Sequence, residues 1–175
     1  MNYNLVVREF EVFTHEQVVK INEEIKKNIL RTQRLSDGAQ NVSKIGKFSI
    51  VRCDPLLELL TPWLYECQLI NKRCFGYDIE WTPHLDTLSY NVYDKDGEYG
   101  WHVDASDKNT MMGDVKLTCL LNLSEEPYEG GEFHVINHVG GHKFSSGMSV
   151  VFNSLIAHKV TPITKGERIT LTYWA

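Results

Sequence analysis

Cysteine is scarce in this chain of 175 residues: only Cys53, Cys67, Cys74 and Cys119 occur, and none forms a CxxC pair. That spacing speaks against a zinc ribbon or a disulfide framework. No secretory leader is legible before Leu5, so reduced thiols in a cytoplasmic compartment are the expectation. None of the four has an activating partner beside it in sequence, which predicts core or partly buried thiols. No apolar run approaches the roughly 18 residues of a membrane span, so a soluble protein without a membrane partner is expected. An excess of basic charge is also missing. The net charge is -5, whereas a general phosphate-backbone binder gathers Lys and Arg on one face. Nucleic acid stays open as a substrate and is disfavoured only as an electrostatic partner. Repeats, linkers and low-complexity segments are absent too, so residues 1–175 read as a single domain. The 42% of hydrophobic residues, with 11% aromatic, is enough for one sizeable core.

The N-terminal part reads as helical. Thr14-His15-Glu16-Gln17 has the form of a capping box. It predicts a helix from about Thr14 to Leu30, with Val18, Ile21, Ile25 and Ile29 facing a sheet and Glu23, Glu24, Lys26 and Lys27 mainly turned away. Residues 31–47 lack periodicity and read as a loop with room for a short strand. Asp54-Pro55 offers an N-cap and a first-turn proline for a second helix running towards Phe75, bent near Pro62. Past Tyr77, short runs broken by Gly, Asp, Asn and Pro predict strands near 78–80, 85–93, 99–103, 115–123, 131–136, 148–153, 157–161 and 167–174. The expected fold is mainly β with flanking helices (α+β): residues 1–76 give helical support and 77–175 a barrel or jelly roll.

His102 and Asp104 stand two positions apart, so on a strand both point to one face. Alone, such a pair is most often ordinary surface polarity. His158 can converge on it from another strand. Two imidazoles and a carboxylate on one side of a metal leave the opposite positions open, as an Fe(II) oxygenase requires in order to take a co-substrate and O₂ together. Ten positions further on, Arg168 starts a segment in which Arg168, Thr170, Thr172 and Trp174 share one strand face and Ile169, Leu171 and Tyr173 the other. Either the polar face meets water, or the apolar face packs under the helices and the polar face lines the barrel. In the second case the guanidinium could grip the distal carboxylate of a dicarboxylate through two parallel hydrogen bonds.

Several further stretches fall in order around these residues. They are Tyr93 through Asp104, Lys116 through Leu123, Glu129-Gly130-Gly131-Glu132-Phe133, and Gly147 through Arg168 with Phe152, His158, Val160, Pro162, Gly166 and Glu167. From about Asn71 to Ala175 the chain resembles the 2-oxoglutarate- and Fe(II)-dependent oxygenases, in their prolyl 4-hydroxylase-like branch. The resemblance implies a double-stranded β-helix (jelly-roll, cupin-like) core with the N-terminal helices packed on one sheet. It implies metal ligation by His102, Asp104 and His158, and 2-oxoglutarate binding by Arg168. The implied reaction is a dioxygenase's: oxidative decarboxylation of 2-oxoglutarate to succinate and CO₂, coupled to hydroxylation of a substrate C–H bond. Fe(II), 2-oxoglutarate and O₂ are the implied cofactor and co-substrates, and ascorbate is a further candidate. Asp104 keeps the carboxylate that halogenating relatives lack, which favours hydroxylation or oxidative demethylation.

Tyr93 stands where the family often has a tyrosine bonded to 2-oxoglutarate, with Tyr90 as a competitor and plain aromatic packing as the alternative. Asn122 falls where relatives place a polar or Tyr side chain facing the site, in phase with Thr118 and Leu120; a structural cross-strand hydrogen bond is the alternative. Thr170 or Thr172 could touch the co-substrate, although Thr is also simply a good strand former. The substrate itself is not legible. A prolyl peptide, a free amino acid, a nucleobase and a small metabolite all fit this core, with prolyl-peptide oxidation as the branch-level expectation. The oligomeric state is equally illegible.

A non-catalytic jelly-roll module that binds metal or ligand is the reading of another class, but it would need no metal triad together with a dicarboxylate anchor. Hydrolytic zinc chemistry leaves Arg168 and the Tyr93 region without a task. His134, His138 and His142 recur every four residues, yet Gly140-Gly141 breaks any helix there, so a hairpin and its loop are expected instead of a second metal site. The segment 105–114, with Met111 and Met112, is expected to act as a lid over the metal, with an ordinary solvent loop carrying two exposed methionines as the alternative. Tyr99 and Trp101 flank His102 on the alternate strand face, which would leave Trp174 nearer to substrate.

Overall fold

A computed structural model describes residues 7–35, 44–81, 87–105 and 115–175. Helix α1 (His15–Lys27) begins at the expected capping box. Gln17 N–H donates to Thr14 Oγ1 at 3.3 Å, and Thr14 N–H to Gln17 Oε1 at 2.9 Å. Val18, Ile21 and Ile25 are buried. The helix ends before Leu30 because Asn28 closes it: its N–H reaches Ile25 O and its side-chain amide Glu24 O, both at 2.9 Å. Helix α2 (Leu57–Ile70) is entered through a 3-10 turn at Asp54–Leu56 and left through a π-helical turn at Asn71–Phe75. Pro55 sits in the first turn as expected, but Asp54 lies inside it, with Cys53 at the cap position and no side-chain capping bond. Pro62 is accommodated within α2. Buried Trp63 ties that helix to the sheet, its Nε1–H donating to Ser149 Oγ at 2.7 Å and Ser149 in turn to Leu120 O at 2.9 Å.

The strands are β1 (Val7–Glu11), β2 (Ile29–Leu35), β3 (Lys44–Arg52), β4 (Thr87–Tyr93), β5 (Glu98–His102), β6 (Leu117–Asn122), β7 (Glu129–Gly130), β8 (Phe133–Val135), β9 (Met148–Asn153), β10 (His158–Val160), β11 (Ile163–Lys165) and β12 (Arg168–Trp174). They run in the order β1-β9-β6-β12-β4-β3-β5-β10-β8, with β2 on β3 and β7 paired separately with β11. Strand β3 makes the corner. Lys47 to Arg52 pair with β4 in a broad layer, while Lys44 and Ile45 pair with Tyr99 and Glu98 of β5, which begins the narrow layer β5-β10-β8.

One core lies between helices and broad layer, where Ile21, Ile25 and Trp63 meet Leu117, Leu121, Leu171 and Tyr173. The other is the inside of the curled sheet, where Leu120, Val150 and Phe152 face Phe133, Val135 and Val160. Each large apolar side chain fully buried in this way contributes roughly 1.5–3 kcal/mol. The result is the mainly β jelly roll with helices on one sheet that the sequence predicts.

Three local expectations are corrected. Residues 78–80 form no strand, β1 was not foreseen, and residues 29–35 and 44–52 form a hairpin where a helix end and, over 31–47, a loop with room for a short strand were expected. The region before residue 76 is therefore not helical support alone, since β1, β2 and β3 belong to the sheet. The reason lies in the side chains. Most of β2 is exposed, and both faces of β3 mix apolar with polar or glycine positions, so no period of two appears.

Candidate metal and co-substrate site

Strands β5 and β10 bring His102 opposite His158. Just past β5, Asp104 N–H and Ala105 N–H both donate to Ser154 O, at 3.0 and 3.1 Å, and this turn carries the Asp104 carboxylate back to the imidazoles. His102 Nε2 lies 3.5 Å from Asp104 Oδ1, and His158 Nε2 lies 3.6 Å from Asp104 Oδ2. The ligand atoms of all three residues fall within 4.8 Å of one another, the one such His/Cys/Asp/Glu group among the described residues.

The remaining ring nitrogens show how these side chains are prepared. His102 Nδ1 faces Gly100 O at 2.8 Å and His158 Nδ1 faces Ile156 O at 2.9 Å. A proton on each Nδ1 satisfies those carbonyls and leaves the Nε2 lone pairs pointing at a shared centre. Burial pushes His158 down to about 4 against the opposing charge of Asp104, so its imidazole is neutral at neutral pH. Burial alone would raise Asp104, but the contact with His102, the imidazole charges and the Thr118 hydroxyl together hold it at about 2, as an ionised carboxylate. Two imidazole nitrogen donors and one anionic oxygen suit a divalent first-row metal with open positions.

Thr118 was visible in the sequence only as a strand neighbour in phase with Asn122. Its Oγ1–H donates to Asp104 Oδ2 at 2.7 Å, and Ser154 Oγ lies 3.1 Å away. Thr118→Val should weaken divalent-metal affinity about 10- to 100-fold, the range for a residue that orients a ligand, while Thr118→Ser stays near wild type. Metal titration of both variants checks this.

Tyr99 departs from expectation. The pairing of β5 with β10 runs His158 to His102 and Val160 to Tyr99, so β5 carries one extra residue there. That bulge returns Tyr99 to the histidine's side of the strand. Its ring stacks on His102 with centroids 3.5 Å apart, whereas Trp101 stays outside, 47% exposed, under Lys159 Nζ.

Across the interior, Arg168 opens β12 and is 2% exposed. Ile169, Leu171 and Tyr173 pack in the helix-side core, so the polar face of β12 lines the barrel. Arg168 Nη2, Asn91 Oδ1 and Trp174 Nε1 are buried without a hydrogen-bond partner among the described residues, and no carboxylate there pairs with Arg168. An unpaired buried guanidinium is costly, and native structures rarely leave such groups unmatched. A dicarboxylate such as 2-oxoglutarate fits the orphaned donor.

Tyr93 stands opposite Arg168 in register, its ring centre 5.7 Å from the guanidinium carbon. Burial pushes its phenol up to about 12 despite the Arg168 charge, so it remains a hydroxyl donor. Tyr90 faces the other way, with its hydroxyl donating to Asn22 Oδ1 of α1 at 3.1 Å. Two glycines make room here: a Cβ on Gly131 would lie 3.1 Å from Arg168 Cδ, and one on Gly46 would lie 3.0 Å from Tyr93 Cδ1. Thr170 is buried between Asn91 and Asn122 in register. Asn122 Oδ1 accepts from Ser124 N–H and Oγ–H at 2.9 and 2.7 Å, and its amide donates to Phe144 O.

His134 lies on β8 beside Glu132, and His142 bridges to Phe133 and lies near Glu9, which is the hairpin expected of that histidine series. The lid expected at 105–114 lies, apart from Ala105, outside the described residues. No helix among the described residues is long and apolar enough to cross a membrane.

A metal-ready triad on the narrow layer, with an orphaned guanidinium across a jelly-roll interior, is the layout of a mononuclear metalloenzyme that takes an anionic co-substrate. The family model described as the 2OG-Fe(II) oxygenase superfamily matches residues 88–175. A PKHD-type hydroxylase of Janthinobacterium sp. (strain Marseille) is 32% identical over 179 residues, covering 94% of this chain and 75% of the relative. A PKHD-type hydroxylase of Aliarcobacter butzleri (strain RM4018) is 26% identical over 172 residues, with the same two shares of 94% and 75%. In shape, the viral collagen prolyl hydroxylase of Paramecium Bursaria Chlorella virus-1, in its 2OG complex, superimposes with a TM-score of 0.71 at 17% identity, covering 97% of this chain and 94% of that one. The chain belongs to the 2-oxoglutarate- and Fe(II)-dependent oxygenase superfamily. It is a dioxygenase that couples decarboxylation of 2-oxoglutarate to succinate and CO₂ with hydroxylation of a substrate C–H bond, using Fe(II) and O₂.

Proposed function

We propose that His102, Asp104 and His158 hold the Fe(II), that Arg168 takes the distal carboxylate of 2-oxoglutarate, and that the substrate is a prolyl residue in a polypeptide. The observation that carries the site assignment is the buried, unpartnered Nη2 of Arg168 across the barrel from the triad. The hydroxylase relatives support hydroxylation, and the prolyl part takes its support from the fold shared with a viral collagen prolyl hydroxylase.

Bound at the triad, Fe(II) supplies the activation of O₂ that 2-oxoglutarate decarboxylation drives. The chain's own residues do the positioning. Gly100 O and Ile156 O hold the two imidazoles by Nδ1, and Thr118 fixes one oxygen of Asp104. Tyr93 offers its hydroxyl beside the guanidinium, Thr170 lines the same wall, and Asn122 has at most one amide proton left to give the co-substrate. Phe133 and Phe152, with ring centres 5.5 and 4.7 Å from His158, keep water from that side of the metal.

A single catalytic unit over 1–175 in the cytoplasm, with ascorbate as an accessory reductant, belongs to the same proposal. The four cysteines, none of them in a CxxC pair, support a reducing compartment. The test is succinate formation by the Fe(II)-loaded protein with prolyl peptides and their alanyl counterparts, with peptide mass read in parallel. An added oxygen on prolyl peptides alone is expected. Peptide-independent succinate, with every peptide unmodified, would remove the prolyl part and leave the oxygenase intact.

A further inference from the structure

One cation beside the site has no task in the reaction as described. Lys44 is the first residue of β3, at the corner where the sheet turns, and pairs in register with Tyr99. Its Nζ lies 4.4 Å from the centre of the Tyr99 ring and 5.0 Å from that of Phe48. Tyr99 is the ring stacked on His102. Lys44 and Phe48 stand four apart on one strand and so share a face. Phe48 is opposite Asn91, whose side chain belongs to the barrel interior. Lys44 is thus half-buried at the mouth of the barrel, one ring away from a metal-triad imidazole.

Its charge has no counterpart among the described residues. No carboxylate among the described residues forms an ion pair with Lys44. Burial pulls the ammonium down to about 8, and the charge that opposes this is that of Asp104. Asp104, however, is committed to the metal. Once the site is loaded, the charges of Fe(II) and Arg168 are matched by Asp104 and the two carboxylates of 2-oxoglutarate, which leaves Lys44 as the surplus. A partly desolvated ammonium is stabilised by an anion brought against it, and the component still to arrive is the primary substrate. Tyr99 and Phe48 can hold the cation in place without neutralising it.

We infer that Lys44 is a specificity-determining residue that binds a carboxylate of the primary substrate close to the oxidised carbon, so that acidic substrates are taken over neutral ones. The inference rests on the oxygenase reading of the triad and Arg168, and it does not require the oxidised residue to be proline.

The probes are acetylated, amidated peptides with a central Pro or Ala flanked by Glu, Gln or Lys. They are titrated calorimetrically, without oxygen, into enzyme loaded with Fe(II) and 2-oxoglutarate. Wild type and Lys44→Arg should bind the Glu-flanked peptides about 10-fold or more tighter than the Gln-flanked ones, as a charged hydrogen bond allows. In Lys44→Gln the two sets should come within about 2-fold, and Lys44→Glu should prefer the Lys-flanked set. The affinity of Lys44→Gln for 2-oxoglutarate, titrated separately, should stay within about 3-fold of wild type. A loss there as large as the loss for peptide would give Lys44 to the co-substrate and overturn the inference. So would equal treatment of Glu and Gln peptides by wild type, including binding of neither, or a preference that survives Lys44→Gln. The Pro-versus-Ala comparison in the same data judges the prolyl reading alone.

Discussion

Asp104→Ala should strip the protein of its metal. Anaerobic calorimetry with Fe(II) should find about one ion per chain in wild type and no measurable site at micromolar concentrations in the variant, because the remaining donors are two neutral imidazoles with no anionic partner. The fold should survive. The backbone N–H of residue 104 still reaches Ser154 O, and Thr118 keeps Ser154 Oγ within 3.1 Å. A wild-type stoichiometry in the variant would remove Asp104 from the metal site.

Arg168→Ala should raise the KM for 2-oxoglutarate by roughly 10²-fold with a smaller change in kcat, because an anchor far from the reacting carbon binds ground and transition states alike. Arg168→Lys should fall between, keeping the charge but losing the two-pronged fork. A thermal readout follows from the same geometry. Arg168 is buried with an orphaned Nη2, so replacing it with the uncharged Met should raise the melting temperature of the ligand-free protein and abolish the added stability conferred by 2-oxoglutarate. A KM that barely moves would place the dicarboxylate anchor elsewhere.

The parts of the site that were legible in the sequence are those where a strand alternates cleanly. On β12 the sets Arg168/Thr170/Thr172 and Ile169/Leu171/Tyr173 separate onto the barrel and helix faces as the pattern predicts. The triad was legible because His102 and Asp104 stand two positions apart and His158 lies on a partner strand, although Asp104 falls just past β5 and reaches the imidazoles through the turn onto Ser154 O. Thr118 was not, since a threonine on a buried strand looks the same whether or not its hydroxyl meets a carboxylate. The hairpin of β2 and β3 was hidden by composition: an exposed strand and one with two mixed faces carry no periodic signal. Lys44 was lost with it, read as part of an aperiodic loop. Choosing between Tyr90 and Tyr93 needed the sheet, because only the register shows which tyrosine points at α1.

The extra residue in β5 also bears on how this active site could be altered. With the bulge, Tyr99 stacks on His102 and Trp101 stays outside; in a strand of even register Tyr99 would lie on the outer face with Trp101. Adding one residue to β10 between His158 and Val160 would match the spacing of β5, straighten the bulge and turn Tyr99 outward, taking away the ring that backs the imidazole and the floor beneath Lys44, while every ligand kept its identity. Along this stretch the decisive variable is chain length, and libraries built from substitutions alone would never sample it.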